Sequence, residues 1–306
     1  MKRFFLTLAL LIAGVVAASE IWPTKAASVL LSTLHLATGM EPKQVETSRG
    51  PITYLEGGSG ETVVFLHGIF ARKEHWLDMT RQLNGYRLIL LDLPGFGDNP
   101  VLPAADYDFA QQTANIYETL DALGIDSFHL VGNSMGSQIA TMMAAQRPDN
   151  ILSLSYIGSP VGVTTPTPSD MQTAIANGTA PLVVTTQAEY DARMAWLFPK
   201  EPFLPRPLAR TWAAQEIARA DANQMIWDSV NSSEVTATDQ IAPELTMPSL
   251  VIWCRDDRIF HPNGAELLAA ALPNSTLITP AGCGHLPMLD RPAQTGKDLQ
   301  SFLQAL

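Results

Sequence analysis

The eight residues VGNSMGSQ (131–138) place Ser134 between two glycines, directly after an apolar run and before a helical pattern. Glycine disfavours helix and strand interiors, yet two glycines stand here where an element should begin. A strand that turns sharply into a helix strains the residue between them, and side chains at the flanking positions would collide. Glycine at 132 and 136 removes those collisions. The pattern predicts a nucleophile elbow that projects Ser134 from the end of a sheet; an ordinary strand-to-helix turn is the alternative.

Short apolar runs and helical patterns alternate on both sides of this stretch. Four continuous apolar runs are typical of strands covered on both faces: TVVFLHG (62–68), YRLILLDL (86–93), SFHLVG (127–132) and ILSLSYIG (151–158). Helical patterns such as KEHWLDMTRQL (73–83) separate them, and QVETSRGPITYLEGG (44–58) looks like a hairpin. Two further strands and two helices follow in LVIWC (250–254), GAELLAAAL (264–272), STLITPAG (275–282) and TGKDLQSFLQAL (295–306). This order predicts an α/β fold with a doubly wound, mostly parallel sheet.

The alternation stops between residues 160 and 243. Prolines recur there, and the helical pieces AEYDARMAWLF (188–198) and LARTWAAQEIARADANQMIWDSV (208–230) lie among them. We therefore expect a helical lid over residues 160–243, inserted between strands of one core that consists of residues 44–159 and 244–306.

The N-terminus contains a candidate membrane segment. Lys2 and Arg3 precede an apolar run from residue 4 to 18, so residues 1–22 form either a membrane anchor or a signal peptide cleaved after residue 18. The anchor is favoured, because a second apolar stretch follows within residues 23–43 and could lie along the membrane; packing on the domain is its alternative. Both interpretations place the remaining chain outside the cytoplasm, either anchored to the inner membrane on its periplasmic side or secreted.

Composition excludes some functions. The chain has 306 residues, 46% of them hydrophobic, and 19 Lys and Arg against 30 Asp and Glu give a net charge of −11. An acidic chain without basic runs is not expected to bind nucleic acid. The six histidines are scattered and no CxxC or HExxH pattern occurs, so we expect neither a metal nor a cofactor. Cys254 and Cys283 could form a disulfide, although two buried thiols are slightly favoured.

A serine hydroxyl needs a base, and the base needs a carboxylate. His285 lies in the glycine-rich loop AGCGHLPM (281–288) after the last strand, where a flexible backbone can present an imidazole to Ser134. The turn WCRDDRIFHP (253–262) supplies two carboxylates. We prefer Asp257 as the partner of His285 and interpret Asp256 as a solvated or turn-capping neighbour.

Two backbone amides complete the predicted site. The strand TVVFLHG ends before Ile69, and Met135 follows the candidate nucleophile, so the N–H groups of Ile69 and Met135 are the expected oxyanion-hole donors. Asp92, after another strand, is interpreted as a loop-ordering group rather than a catalyst.

The segments HGIFARKEHW, LDLPGFGD, GNSMG, WCRDDRIF and CGHLPMLDRP together resemble the α/β-hydrolase superfamily, over about residues 50 to 303. Within it, the chain is similar to membrane-anchored bacterial lipases and phospholipases A and to anchored monoacylglycerol lipases. APLVVTTQAEYDARMAWLFPKEPFLP in the lid and the apolar N-terminus that ends in Trp-Pro carry this likeness. The resemblance implies a serine carboxylic-ester hydrolase with the roles given above and an acyl pocket beneath the lid. Ser137, Cys254 and Ile69-Phe70 depart from the usual pattern and bear on substrate preference.

Several apolar residues of the lid are candidates to line that pocket, although we expect most of them only to pack the lid onto the sheet: Met194, Trp196, Leu197, Phe198, Phe203, Leu204, Trp212, Met225 and Trp227. A lipid or small ester is the expected substrate. The alternatives are a C–C hydrolase or perhydrolase of the same fold, and a ligand-binding sensor with residual hydrolysis.

Overall fold

The computed structural model describes residues 19–234 and 236–306. Eight strands of this part form one sheet: β1 Met40–Thr47, β2 Gly50–Gly58, β3 Glu61–Leu66, β4 Tyr86–Leu91, β5 Phe128–Ser134, β6 Ile151–Pro160, β7 Ser249–Ile252 and β8 Ser275–Ile278. Their spatial order is β1-β2-β4-β3-β5-β6-β7-β8. The pairs β1–β2 and β2–β4 are antiparallel, and all other pairs are parallel. The hairpin and the doubly wound, mostly parallel sheet are confirmed.

The sheet changes its winding direction at β3. The chain moves from β3 outward to β4, and then returns to place β5 on the other side of β3. In doubly wound sheets such a switch point opens a crevice at the carboxyl ends of the strands. The loop after β3 and the elbow after β5 therefore lie side by side at that edge.

Both faces of the central strands are buried. Val64 and Leu66 of β3 face one apolar cluster, and Val63 and Phe65 face the other. All four side chains are fully buried, and each contributes about 1.5–3 kcal/mol of hydrophobic stabilisation. This two-sided burial explains why the central strands are continuous apolar runs rather than alternating patterns.

The helices cover both faces and fill the insertion. They are α1 Pro23–Thr38, α2 Leu77–Thr80, α3 Phe109–Ala122, α4 Met135–Gln146, α5 Asp170–Ala176, α6 Gln187–Leu197, α7 Arg206–Ala218, α8 Ala220–Ser232, α9 Thr238–Ile241, α10 Gly264–Ala271, α11 Pro287–Asp290 and α12 Pro292–Leu303. Short 3₁₀ segments occupy Lys73–Trp76, Ala104–Tyr107, Pro148–Asn150 and Ala242–Glu244. Helices α5 to α9 lie between β6 and β7 in the chain. The side chains of Ser169 and Thr186 cap α5 and α6.

The prediction of one helical stretch over residues 73–83 is wrong in detail. The stretch is divided into the 3₁₀ segment Lys73–Trp76 and the short helix α2. The carboxylate of Asp92 accepts a hydrogen bond from the Lys73 amide at 2.8 Å, and Arg72 is extended just before it. The first residue of this segment is therefore held by the end of a neighbouring strand.

The apolar segment after the N-terminus forms α1, which packs against α7 and β1. Glu20, ahead of the helix, forms ion pairs with Arg206 and Arg210 of α7. Val29 and Leu36 on the other side of α1 are 67% and 84% exposed. Packing on the domain thus accounts for only one face of this helix.

Most of the predicted anchor or signal peptide, residues 1–18, lies outside the described residues. Over residues 19–234 and 236–306, none of the helices combines the length and the apolar character that crossing a bilayer requires.

Candidate active site

The backbone at the elbow is strained as expected. Ser134 ends β5 with φ 54° and ψ −118°, and α4 begins at the next residue. A Cβ at Gly132 would lie 2.6 Å from the Cα of Ser137, and one at Gly136 would lie 2.3 Å from the carbonyl oxygen of Leu66. Both positions exclude any larger residue, which confirms the reason inferred for the two glycines.

The two other side chains predicted for the site are hydrogen-bonded to each other. Nδ1 of His285 lies 3.1 Å from Oδ2 of Asp257, and both residues are buried. The other carboxylate oxygen of Asp257 accepts from the amides of Ile259 at 2.8 Å and Phe260 at 3.3 Å. Asp256 instead accepts from the amide of Gly282 at 2.7 Å, which matches its interpretation as a turn-capping neighbour.

Ser159, which the sequence analysis missed, joins this pair. Its Oγ lies 2.6 Å from Oδ2 of Asp257 and 2.9 Å from Nδ1 of His285. A carboxylate accepts only, so the single hydroxyl proton of Ser159 goes to Asp257, and Nδ1 of His285 must be the donor to Ser159. This fixes the imidazole as the Nδ1–H tautomer and leaves Nε2 free to accept a proton. The one available signal was the position of Ser159 at the carboxyl end of a predicted strand.

A disulfide connects the two loops that bear the pair. Cys254 precedes Asp257 by three residues, Cys283 precedes His285 by two, and the two cysteines are bonded. The slight preference for free thiols was therefore wrong. Strands β7 and β8 are neighbours, so their carboxyl ends bring the cysteines together, and sequence spacing alone does not give that distance.

The loop after β3 approaches the elbow closely. A Cβ at Gly68 would lie 3.1 Å from the Cβ of Ser134. The Gly68 carbonyl accepts from Nδ1 of His67 at 2.7 Å and from the amide of Ala71 at 3.2 Å, while Nε2 of His67 accepts from a backbone amide. Because C=O and N–H of a trans peptide point in opposite directions, pinning this carbonyl turns the Ile69 N–H the other way. Among the described residues, that N–H has no backbone acceptor.

The amide of Met135 is the second predicted donor. Met135 is the first residue of α4, and the first N–H groups of a helix have no partner within it. Phe70, beside Ile69, has φ 55° and is, with Ser134, one of two non-glycine residues with positive φ in the described chain. The two strained residues are therefore the direct neighbours of Ile69 and Met135, whose amides are the predicted oxyanion-hole donors.

Asp92 lies behind this loop and is fully buried. Its oxygens accept from Nζ of Lys73 at 2.6 Å, from Thr53 at 2.9 Å and from the amide of Asp98 at 3.0 Å. These contacts connect the end of β4 to strand β2, to the 3₁₀ segment at Lys73 and to the loop at Asp98, which agrees with its interpretation as a loop-ordering group.

A cavity of about 370 Å³ opens at Ser134 and His285. Nine apolar residues of the insertion were candidates to line a pocket, and six of them do line this cavity: Met194, Leu197, Phe198, Phe203, Leu204 and Trp212. Trp196 and Trp227 instead pack in a small cluster with Ile259, and Met225 packs against the main core. More of the insertion faces the cavity than expected. Leu31 and Leu34 of α1 also line it, which the sequence did not indicate.

One more carboxylate supports the loop that bears His285. Asp290 accepts from the amide of Gly284 at 2.7 Å. Burial, aided by the nearby charge of Asp256, raises the pKa of Asp290 to about 6. This side chain is thus partly protonated near neutral pH, next to the candidate base.

Comparison with known proteins identifies the fold. The family described as the alpha/beta hydrolase fold matches residues 61–292. Lipase 1 of Psychrobacter immobilis is 29% identical over 273 residues, which cover 87% of this chain and 86% of the relative. Monoacylglycerol lipase ABHD6 of Bos taurus is 26% identical, with 98% and 93% covered.

A solved structure described as a membrane phospholipase A, a novel bacterial virulence factor, superposes with a TM-score of 0.89. It is 32% identical and covers 100% of this chain and 99% of its own. The family match, the sheet and the strained serine elbow agree, and the chain belongs to the α/β-hydrolase family.

Proposed function

We propose that this protein hydrolyses carboxylic esters of lipids, with Ser134 as nucleophile, His285 as general base and Asp257 as its carboxylate partner. One observation carries the proposal: Ser134 lies on the wall of one cavity together with His285, whose Nδ1 is hydrogen-bonded to Asp257 and Ser159. The relatives named lipases and the structural neighbour named a phospholipase support it.

The first half of the reaction forms an acyl-enzyme. Nε2 of His285 takes the proton of Ser134 while Oγ attacks the ester carbonyl carbon, whose π electrons move to oxygen. The amides of Ile69 and Met135 donate to that oxyanion, each contributing about 3 kcal/mol of transition-state stabilisation. Collapse breaks the bond to the alcohol, which leaves with the proton from His285.

The second half restores the enzyme. Water loses a proton to Nε2 of His285 and adds to the acyl carbonyl, and the tetrahedral species expels Ser134, which regains its proton. Throughout, Asp257 stays ionised and stabilises the imidazolium. The insertion (residues 160–243) acts as a lid whose apolar residues receive the acyl chain and exclude water.

The proposal includes export and membrane attachment through residues 1–22, with cleavage and secretion as the alternative. A disulfide is typical of proteins outside the cytoplasm, and Cys254 and Cys283 form one. Ile21, Trp22 and Phe203 are 65%, 55% and 92% exposed, and Phe203 also lines the cavity. Exposed apolar residues at the start of α1 and at the cavity favour contact with a membrane surface.

A chain-length series of p-nitrophenyl esters tests the chemistry. We expect hydrolysis by the full chain to increase from short to medium or long acyl groups, and Ser134→Ala to abolish it. Retained turnover in Ser134→Ala would overturn the assignment. A fluorophosphonate probe should label Ser134 stoichiometrically, whereas a pure binding protein would not react. Membrane fractionation with N-terminal sequencing distinguishes the anchor from a cleaved signal peptide.

A further inference from the structure

The wall of the cavity carries an uncompensated positive charge at Arg72. This residue lies three positions after Ile69, and residues 68–72 line the cavity without a break. The guanidinium lies over the ring of Trp212, 4.8 Å from its centroid, and Nη2 donates to Oε1 of Gln215 at 3.3 Å. Neither partner is charged. Among residues 19–234 and 236–306, no carboxylate lies within ion-pair distance of Arg72.

The other buried or paired charges of this wall are already satisfied. Ion pairs hold Glu74 to Lys73 at 3.2 Å, Asp78 to Arg81 at 3.1 Å, and Glu216 to Arg193 at 2.9 Å. Glu201 lies on an exposed loop of the insertion, where water screens its charge. Among the described residues, Arg72 is therefore the cation of this wall that has no carboxylate partner, whereas Arg193 is neutralised by Glu216.

His75, beside Arg72, does not supply a competing charge. Its ring lies 6.1 Å from the ring of Trp212, and its buried Nδ1 has no hydrogen-bond partner in the described residues. Burial and the positive charge of Arg72 lower the pKa of His75 to about 3, so His75 is neutral at physiological pH. An unpartnered ring nitrogen thus lies beside a guanidinium that has no carboxylate partner, and together they form a polar recess in the wall.

We propose that Arg72 binds the phosphate of a phospholipid or lysophospholipid headgroup while the ester lies at Ser134. The inference rests on the ester hydrolysis proposed above and adds its head-group class. A guanidinium binds phosphate through two parallel N–H···O bonds, and an apolar surrounding strengthens that contact. Stacking on Trp212 fixes the plane of the guanidinium and lowers the entropy lost when the phosphate binds.

The spacing agrees with this assignment. The Cα atoms of Ile69 and Arg72 are at most about 11 Å apart, since each residue extends the chain by about 3.6 Å. The phosphorus of a lysophospholipid lies roughly 7 Å from its ester carbonyl when the glycerol is extended, as estimated from ordinary bond lengths. An arginine side chain readily covers the difference.

Paired substrates with the same acyl chain test the proposal. The full chain, in mixed micelles of a neutral detergent, is assayed on 1-acyl lysophosphatidylglycerol and on 1-monoacylglycerol. We expect Arg72→Gln to lower kcat/KM on the lysophospholipid by about 10–100-fold, mainly through KM, because a lost charge-assisted contact costs about 1.5–3 kcal/mol. On the monoacylglycerol the change should stay below about threefold, within the effect of an ordinary surface substitution. Arg72→Glu should produce a still larger difference between the kcat/KM values on the two substrates.

Arg147→Gln is the matched control. Arg147 also lies over an aromatic ring, 4.0 Å from the centroid of Tyr117, but it does not line this cavity. Arg147→Gln should leave the ratio of the kcat/KM values on the two substrates unchanged. Equal losses on both substrates with Arg72→Gln would show a structural role and overturn the proposal, as would no loss on either.

A second readout does not depend on turnover. Binding of dodecyl phosphate and of dodecanol to Ser134→Ala is measured by tryptophan fluorescence. Arg72→Gln should weaken the binding of dodecyl phosphate and leave the binding of dodecanol unchanged. Should the wild type hydrolyse p-nitrophenyl esters and monoacylglycerol but no lysophospholipid, only the head-group inference fails; should it hydrolyse no ester at all, the proposed function itself fails.

Discussion

Ser159 donates its only hydroxyl proton to Oδ2 of Asp257 at 2.6 Å, the same oxygen that lies opposite the imidazole of His285. The hydroxyl therefore stabilises the carboxylate and also accepts from Nδ1–H. Because it contacts the pair without reaching Ser134, it is a positioning residue.

Ser159→Ala should lower kcat by about 10–100-fold with little change in KM, since it removes hydrogen bonds to charged groups worth about 1.5–3 kcal/mol. Ser159→Thr, which keeps the hydroxyl, should recover part of the loss. Proton NMR should show the Nδ1–H resonance of His285 displaced in Ser159→Ala. Ser155→Ala is the control, because Ser155 is a buried serine on the same strand whose Oγ has no partner in the described chain. Equal effects of the two alanine variants would contradict the positioning role.

Reduction of the disulfide should destabilise the site. The bridge closes a loop over a sequence separation of 29, which corresponds to about 3–4 kcal/mol in the chain-entropy treatment. Cys254→Ala/Cys283→Ala should lower the melting temperature, and activity should be lost at a lower temperature than unfolding of the whole chain, since both cysteines flank the candidate pair. Dithiothreitol should reproduce the effect in the wild type and change nothing in the double variant. An unchanged melting temperature would contradict the stabilising role.

Asp290 should make stability fall as pH rises. Its folded pKa of about 6 lies above the ordinary value of 3.8, so the folded state binds more protons than the unfolded chain between these values. Stability from this group is complete below about pH 4 and is lost as pH approaches and passes 6. Because Asp290 is only half-buried, we expect about 1–2 kcal/mol rather than the full shift.

Asp290→Asn keeps an acceptor for the Gly284 amide and removes the charge. It should raise the melting temperature at pH 8 by a few degrees and have little effect at pH 4. Urea titrations of both proteins across this range measure the difference. A stabilisation that is the same at every pH would contradict the assigned cause.

Gly136→Ala should abolish activity, because the added methyl would lie 2.3 Å from the Leu66 carbonyl oxygen and 2.5 Å from that of His67. Both atoms are backbone, so the elbow itself must move. Ser137→Ala, at the next position, removes a buried hydroxyl with no partner among the described residues and should stay active. Circular dichroism distinguishes a misplaced elbow from global unfolding, and near-normal turnover by Gly136→Ala would refute the close approach.

His67→Leu should reduce kcat although the side chain lies outside the cavity wall. The imidazole pins the Gly68 carbonyl and so orients the Ile69 amide. Burial lowers the pKa of His67, so the neutral ring performs this function across the physiological range. We expect a loss of about 10–100-fold, comparable with the weakening of one oxyanion donor. The thermal melt separates this from loss of fold, and a change confined to KM would argue against it.

The sequence predicted what local patterns determine. Two-sided burial makes strands such as β3 read as apolar runs, and the glycines around Ser134 reflect clashes within a few residues of it. His285 and Asp257 were identifiable because they follow the last two strands, whose ends meet at one edge of the sheet. Ser159 was missed because a serine that ends a strand looks like any turn residue until its neighbours are known.

Contacts between segments that are distant in the sequence were harder to predict. The pairing of Cys254 with Cys283 depends on the adjacency of β7 and β8, and the place of Leu31 and Leu34 on the cavity wall depends on α1 packing against α7. Neither relationship leaves a periodic trace in the residues involved. The helix expected over 73–83 is divided into two short segments, and the contact of its first amide with the carboxylate of Asp92, 19 residues away, was likewise not predictable from local pattern.

The buried cluster of Lys73, Asp92 and His67 is important for mutagenesis of this protein. It sets the orientation of the Gly68–Ile69 peptide from the interior, and none of its three side chains lines the cavity. Libraries restricted to cavity-lining positions would overlook these side chains, and random mutagenesis should recover inactive but soluble clones there. Sensitivity to substitution will therefore extend well behind the surface that a substrate contacts.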